Sequence, residues 1–192
     1  HVQLRADQTD LPGVLILEPE VYADARGLFY ESFHVDKYRA FGIHGPFVQD
    51  NFSRSVLGTI RGLHLQVKRP QGKLIRVIQG EIRDVAVDVR RGSPYFGRWV
   101  SVDISADSFQ QVYVPPGFAH GFSVLSVTAE VEYKCTAPYD PSDEVGISWN
   151  DPTLNIDWGW QTLVAVSKGL KAPLLSARDA NHADFASVFK QL

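Results

Sequence analysis

The sequence predicts an all-β protein, either a two-sheet sandwich or a barrel. Its central part alternates apolar and polar residues with a period of two, which is the pattern of half-buried strands. Short runs of glycine and proline separate these segments, as expected for tight turns between strands. Segments with helical periodicity are few and lie towards the two ends of the chain. These observations favour architectures in which short strands enclose one core.

The clearest predicted strand is the segment IRDVAVDVR, at residues 82–90. Alternation divides its side chains between two faces of the strand. One face holds Val85, Val87 and Val89, and the other holds Asp84, Ala86, Asp88 and Arg90. We interpret Asp84 and Asp88 as ordinary polar residues on the face of the strand. The turn sequence RGSPYFG follows, and the segment VSVDIS then alternates again.

Two further strands and two short helices complete the predicted elements. The strand QQVYV ends at a Pro-Pro-Gly turn. The strand AEVEYKCT places four residues on a common face, namely Ala129, Val131, Tyr133 and Cys135. One helix is predicted near Asp36–Phe41. A C-terminal helix is predicted from an apolar stripe at i, i+3, i+4 and i+7, formed by Phe185, Val188, Phe189 and Leu192.

Composition sets the class of protein. The chain has 192 residues, of which 44% are hydrophobic and 21% charged, as expected for one domain spanning residues 1–192. The net charge of −3 and the absence of a dense basic cluster argue against nucleic-acid binding. No apolar run is long enough for a membrane span, and no signal segment is recognisable, so we expect a cytoplasmic protein. The single cysteine, Cys135, excludes an internal disulfide.

A lone histidine, His64, interrupts the apolar run LGTIRGLHLQ. A metal ligand, a catalytic base and a buried structural imidazole would each fit this position. The spacing of His64, Gln66, Lys73 and Gly80, together with the downstream segment PPGFAHG that ends at His120 and Gly121, resembles the two motifs of the cupin superfamily. This resemblance implies a cupin jelly-roll barrel, also called a double-stranded β-helix.

The resemblance departs from the metal-binding cupins at two ligand positions. Those cupins usually have histidine and glutamate where this chain has Gln66 and Lys73. A protonated ammonium cannot ligate a cation and repels it, and a glutamine oxygen is a weak neutral ligand. His64 and His120 then remain, which are too few for a closed or catalytic zinc or iron site. We therefore expect no metal and no other cofactor.

A narrower resemblance covers residues from about Val14 to Ala180. The segments DARGLFYESF, FVQDN, IRGLHLQ, VPPGFAHGFSVLS, EYKCTAPYDP, WNDPTLNIDW and LSARD occur in the order typical of dTDP-4-dehydrorhamnose 3,5-epimerases. The chain is thus identified as resembling that family of metal-free, usually homodimeric cupins. The resemblance implies inversion of C3 and C5 of dTDP-4-keto-6-deoxyglucose, which yields dTDP-4-keto-L-rhamnose. The product lies on the route to dTDP-L-rhamnose, a deoxysugar precursor of polysaccharides.

The resemblance assigns catalytic roles to four residues. Epimerisation beside a ketone needs a base, a stabilised enolate oxygen and an acid on the opposite face. His64 matches the base and Asp179 the carboxylate that orients it. Tyr133 matches the acid, and Lys73 would be a fixed cation near the enolate. A free imidazole has a pKa of about 6.5 and is largely neutral at pH 7, which suits the base.

The resemblance also assigns ten residues to substrate binding. They are Arg26, Glu31, Gln49, Asn51, Arg61, Lys73, His120, Tyr139, Glu144 and Arg178. Guanidinium groups suit anionic oxygens, and Tyr139 matches a ring that stacks on thymine. We interpret His34, His44 and His182 as surface histidines.

Three alternatives remain open at this stage. The chain could invert C3 alone or C5 alone in a related deoxysugar pathway. It could be a non-catalytic cupin that binds a nucleotide sugar, although such a protein needs neither a base nor an acid. A metal-dependent cupin enzyme is disfavoured by Gln66 and Lys73.

Overall fold

A computed structural model describes residues 3–160, 163 and 169–190. Antiparallel strands dominate these residues. The strands are β1 Leu4–Gln8, β2 Leu15–Pro19, β3 Tyr22–Asp24, β4 Gly27–Phe29, β5 Gln49–Val56, β6 Ile60–Gln66, β7 Lys73–Gln79, β8 Glu81–Asp88, β9 Trp99–Ser105, β10 Gln111–Val114, β11 Phe118–Val124, β12 Thr128–Cys135 and β13 Glu144–Gly146. The helices are α1 Val35–Arg39, α2 Phe185–Phe189 and a 3₁₀ turn at Asp179–Asn181.

Two sheets enclose the core, which confirms the predicted all-β jelly-roll class. The six-stranded sheet has the order β1-β2-β10-β7-β12-β5, and the five-stranded sheet has the order β13-β6-β11-β8-β9. The main apolar cluster mixes residues of both, such as Ile75 and Val131 from the first sheet with Ile82 and Phe122 from the second. The strands β3 and β4 form a separate hairpin. No helix within the described ranges is long and apolar enough to cross a membrane.

Strand β8 corrects one sequence prediction. The face of β8 that carries Ala86 packs in the main core. On the opposite face, Val85 and Val87 pack with Trp158 in a second cluster on the outer side of the sheet. Both faces of β8 are therefore covered, and its aspartates are not ordinary face residues. Asp84 is 2% exposed and Asp88 is fully buried. Each carboxylate is bonded inside the protein, Asp88 to the Arg90 guanidinium and Asp84 to His120.

The other predicted elements agree with the structure. On β12, Ala129, Val131 and Cys135 are fully buried, and Tyr133 packs partly buried against the main core. Helix α1 lies within one or two residues of its predicted position. In α2, Phe185 and Val188 are buried, whereas Phe189 is 40% exposed. Leu192 lies outside the described residues.

A buried carboxylate, that of Asp151, fastens the C-terminal segment to the segment that follows strand β13. Its Oδ1 accepts the Phe185 backbone N–H at 2.8 Å, and its Oδ2 accepts the Leu154 N–H at 2.9 Å. The backbone adds a bond from the Ser148 N–H to the Ala183 carbonyl, at 2.9 Å. The same segment carries Asp179, so these bonds help to fix the position of that residue.

We predict that Asp151→Ala lowers the free energy of unfolding. The substitution leaves two buried N–H donors without their acceptor, and each unsatisfied donor costs about 1–3 kcal/mol. Urea unfolding at one fixed protein concentration, followed by tryptophan fluorescence, measures the loss. Asp107→Ala, at an exposed turn residue, is the control and should be close to neutral. Equal stability of the two variants would contradict this role.

Candidate active site

A cavity of about 530 Å³ brings together eleven of the thirteen residues predicted for the site. The six-stranded sheet contributes Gln49, Asn51, Lys73 and Tyr133. The five-stranded sheet contributes Arg61, His64, His120 and Glu144, and the connecting segments contribute Tyr139, Arg178 and Asp179. The cavity thus has one wall from each sheet.

On the wall formed by the five-stranded sheet, His64 and Asp179 form a close pair. The His64 Nε2 lies 2.6 Å from the Asp179 Oδ1, and the aspartate is 5% exposed. Burial raises the pKa of Asp179, but hydrogen bonds from His64, His182 and the Gly62 N–H outweigh it and lower the pKa to about 2. A carboxylate can only accept, so Nε2 of His64 carries the proton in this bond. The neutral imidazole then has its lone pair on Nδ1, where it can act as a base.

The local backbone explains how this pair is assembled. Strand β6 pairs with β11, and His64 lies directly opposite His120. Gly62 permits the close approach of the two strands, because a Cβ there would lie 2.7 Å from the Gly121 Cα. The Gly62 N–H also donates to the Asp179 Oδ2 at 3.2 Å. The Asp179 N–H donates in turn to the Ser176 Oγ at 3.0 Å, which fixes the 3₁₀ turn.

The opposite wall carries Tyr133 and Lys73. Burial raises the pKa of the Tyr133 phenol, so the hydroxyl keeps its proton at neutral pH. The Lys73 Nζ lies 5.7 Å from the centre of the Tyr133 ring. Removal from water lowers the pKa of Lys73, against the attraction of Cys135, Asp84 and other acidic groups. His64 and Tyr133, which were predicted as base and acid, therefore lie on different sheets.

A second histidine–aspartate pair, His120 with Asp84, lies deeper in the barrel. The His120 Nε2 is 2.6 Å from the Asp84 Oδ1, and both side chains are buried. Burial lowers the pKa of His120, and the nearby Lys73 and His64 lower it further, against the opposing effect of Asp84. Sequence reasoning found His120 but not Asp84, because alternation on a strand buried on both faces gives no signal for this partner.

A third histidine, His182, is also bound to Asp179. Its Nε2 lies 2.9 Å from the Asp179 Oδ1, and its side chain is 12% exposed. The prediction that His182 is a surface histidine is therefore wrong. The signal in the sequence was its spacing of three residues from Asp179, which brings the two side chains together in one turn. His44 is exposed, as predicted, and His34 caps helix α1.

Several possible metal ligands are already engaged in hydrogen bonds within the protein. Gln66 is 4% exposed, and its amide binds the carbonyls of Arg69 and Pro138 and the Asp140 N–H, so it holds loops together. Among the described residues, His64, Asp179 and His182 form a group of potential ligands with their atoms within 4.8 Å of one another. Both imidazoles already bind the Asp179 Oδ1, so a cation would have to displace two hydrogen bonds.

Polar side chains connect the remaining cavity residues. The Arg178 guanidinium binds Glu144 at 2.7 Å and the Tyr139 hydroxyl at 3.4 Å. The Gln49 amide donates to Asn51 at 3.0 Å and accepts the Tyr139 N–H at 2.9 Å. The Arg61 Nε donates to the Ser55 Oγ at 2.9 Å. Tyr139 itself is 45% exposed, which leaves its ring accessible for stacking.

Two predicted binding residues do not line this cavity. Arg26 lies in the β3–β4 hairpin, where its side chain is 91% exposed and pairs with Asp24 at 2.6 Å. Glu31 pairs instead with Lys37 of helix α1, at 2.8 Å. Within one chain, the structure therefore leaves Arg26 and Glu31 apart from the other predicted site residues.

The fold and the site together define the class of protein. A jelly roll whose cavity carries a histidine–aspartate pair on one wall and a protonated tyrosine on the other has the cupin fold and holds the groups that proton transfer requires. The sequence model of dTDP-4-dehydrorhamnose 3,5-epimerase matches residues 8–187. The chain belongs to the dTDP-4-dehydrorhamnose 3,5-epimerase family, and it is an isomerase.

Individual relatives agree with this assignment. The dTDP-4-dehydrorhamnose 3,5-epimerase of Pseudomonas aeruginosa is 47% identical over 184 residues, which cover 95% of this chain and 97% of the relative. A crystal structure of the dTDP-6-deoxy-D-glucose-3,5-epimerase of Legionella pneumophila, in complex with dTDP-4-keto-L-rhamnose, is 46% identical, with a TM-score of 0.86 over 95% of this chain and 93% of that one. A crystal structure of a 3′-monoepimerase of Streptomyces bikiniensis, in complex with dTDP-quinovose, is 33% identical, with a TM-score of 0.83. The match covers 95% of this chain and 89% of that chain.

Proposed function

We propose that this enzyme inverts C3 and C5 of dTDP-4-keto-6-deoxyglucose and yields dTDP-4-keto-L-rhamnose. The observation that carries the proposal is the placement of His64 and Tyr133 on opposite walls of one cavity. Inversion of a carbon requires removal of a proton from one face and its return to the other, so two groups on facing walls suit this reaction.

The proposed steps balance as proton transfers. The Nδ1 of His64 takes a proton from the carbon next to the ketone, and the C–H electron pair moves into the enolate. The positive charge of Lys73 and the guanidinium of Arg61 stabilise the enolate oxygen. The Tyr133 hydroxyl then delivers its proton to the opposite face of the same carbon. Exchange with solvent restores the proton of Tyr133 and removes the proton from His64.

The polar residues of the cavity suit the nucleotide half of the substrate. The Tyr139 ring stacks on thymine, and the amides of Gln49 and Asn51 lie beside it. Arg178 offers a fork of donors to the diphosphate, and its pairing with Glu144 sets the direction of that fork. These roles rest on the family resemblance and on the shared position of the residues in one cavity.

A second candidate is inversion of a single carbon. The similarity to the Streptomyces bikiniensis 3′-monoepimerase favours it as the alternative, because that relative shares the fold at 33% identity. Proton NMR of the product formed from dTDP-4-keto-6-deoxyglucose decides between them. Inversion at both C3 and C5 supports the double epimerase, and inversion at one carbon supports the alternative.

We also propose that the enzyme is a homodimer. Apolar side chains of the β3–β4 hairpin and of the edge strand β5 are exposed, with Leu28 at 53%, Phe29 at 65% and Phe52 at 54%. A dimer would cover them, since large exposed apolar patches mark interaction surfaces. Arg26 lies in the same hairpin, so in a dimer it could reach the cavity of the partner subunit.

We predict that deuterium exchange separates the base from the acid. In heavy water the wild-type enzyme should incorporate deuterium next to the ketone, and His64→Asn should lower the rate by about 10²–10⁴-fold. Asp179→Asn should slow exchange by disturbing the imidazole tautomer. Tyr133→Phe keeps the base, so exchange with retention should survive better than inversion. NMR measures deuterium content and configuration together.

His44→Asn is the matched control for these variants, because His44 is exposed and does not line the cavity. It should exchange at the wild-type rate. If Tyr133→Phe loses exchange as completely as His64→Asn while substrate affinity is kept, the assignment of base and acid to separate faces is wrong.

We predict that activity does not depend on a metal ion. The enolate charge in the proposed mechanism is neutralised by Lys73 and Arg61, so no Lewis acid is required. The rate of epimerisation should be unchanged after exhaustive treatment with a chelator, and elemental analysis of the active enzyme should find no stoichiometric metal. A chelated enzyme that loses activity and regains it with zinc, iron or manganese would overturn this proposal.

We predict that a mixed dimer regains activity from two impaired chains. Arg26→Ala and His64→Asn chains, carrying different tags, are co-expressed and the mixed species is isolated. In the mixed dimer, the cavity of the Arg26→Ala subunit keeps its own His64 and receives the intact Arg26 of the other subunit. The second cavity lacks both residues. About half of the wild-type activity per dimer is therefore expected. Light scattering checks the dimer mass. A mixed species no more active than the Arg26→Ala homodimer would show that Arg26 does not act across the interface.

A further inference from the structure

One carboxylate oxygen in the cavity wall is shared by two imidazoles. The Asp179 Oδ1 lies 2.6 Å from the His64 Nε2 and 2.9 Å from the His182 Nε2. The two rings meet edge to face, with their centres 5.7 Å apart and their planes at 85°. Because an ionised carboxylate only accepts, His182 donates its Nε2 proton to this oxygen, just as His64 does.

The His182 ring occupies the space beside Gly146 of strand β13, where any other residue would have a side chain. A Cβ on Gly146 of β13 would lie 2.1 Å from the Cε1 and Nδ1 atoms of His182. The φ of Gly146 is not in the positive region, so its backbone conformation does not itself require glycine. Gly146 also pairs directly with His64 in the sheet. Because residue 146 has no side chain, the His182 ring has room to lie beside the His64 ring.

We propose that His182 is a positioning residue for the histidine–aspartate pair. Its donation to Oδ1, together with the Gly62 N–H on Oδ2, holds both oxygens of Asp179. These two donors keep the Asp179 Oδ1 within hydrogen-bond distance of the His64 Nε2, so the carboxylate is in position to stabilise His64 when that residue gains a proton. This inference rests on the proposed function of His64 as the base.

The second donor has a chemical consequence as well as a steric one. It shares the negative charge of the Asp179 Oδ1 and favours the ionised carboxylate over the protonated one. The proton taken from the substrate then stays on the imidazole and does not pass to the aspartate. A purely structural His182 would instead affect the stability of the C-terminal segment and leave turnover unchanged.

The test compares His182→Ala with His182→Gln. The alanine variant removes the donor and should lower kcat roughly tenfold with KM within about twofold, as expected for one lost hydrogen bond. The glutamine variant keeps an N–H donor near the position of Nε2 and should recover most of the lost kcat. The rate of deuterium incorporation should follow kcat in both variants. His44→Ala, at an exposed position, is the control and should retain wild-type kcat.

A double variant separates this inference from the proposed function. If His182 acts through His64, then adding His182→Ala to His64→Asn should cause no further loss. An active His64→Asn enzyme would refute the proposed base itself. If His64→Asn is inactive, a wild-type kcat in His182→Ala, or equal losses in the alanine and glutamine variants, would overturn the positioning role.

Gly146→Ala provides a second route to the same result. It keeps His182 but fills the space that its ring occupies, so the loss of kcat should match that of His182→Ala. Circular dichroism and thermal unfolding establish that each variant is folded. If His182→Ala does not fold, Gly146→Ala decides the question: a loss in kcat supports the inference, and wild-type kcat overturns it.

Discussion

The short hydrogen bond between His64 and Asp179 is the interaction on which the rest of the site depends. It joins residues 115 positions apart in the chain, at 2.6 Å. The Gly62 N–H, the Ser176 hydroxyl and the carboxylate of Asp151 all help to hold the aspartate or its segment in place. Because the ionised carboxylate can only accept a hydrogen bond, the Nε2 of His64 carries the proton in this bond, which leaves the Nδ1 lone pair free for the role of base that we propose.

The jelly roll supplies the second requirement of the proposed mechanism, which is the separation of base and acid. His64 belongs to the five-stranded sheet and Tyr133 to the six-stranded sheet, so the substrate lies between them in the proposed complex. Lys73, beside Tyr133, occupies the position at which metal-binding cupins usually have a carboxylate. The Lys73 ammonium provides a positive charge that is covalently fixed to the chain, in place of the charge of a bound metal ion. Such a fixed charge suits a reaction through an enolate.

Much of this structure could be predicted from local pattern. Alternation on β12 placed Tyr133 on the inner face correctly, because that strand has one buried face. The same rule failed on β8, since a strand covered on both sides buries Asp84 as well as Val85. The contact of His182 with Asp179 depends on a 3₁₀ turn and on the space above Gly146, which periodicity does not encode. Arg26 matched the family motif, yet within one chain it lies outside the cavity, because motif matching does not encode the position of an exposed hairpin.

The protonation of His64 tests the central claim most directly. A long-range ¹H–¹⁵N correlation spectrum of the labelled enzyme, recorded at about pH 8 and so above the pKa of about 6.5 of a free imidazole, distinguishes protonated from unprotonated ring nitrogens. The chain has six histidines, and the loss of one set of peaks in His64→Asn assigns His64. We expect a protonated Nε2 and an unprotonated Nδ1 in the wild type, and loss of this preference in Asp179→Asn. A proton on Nδ1 of His64 in the wild-type enzyme would contradict the account.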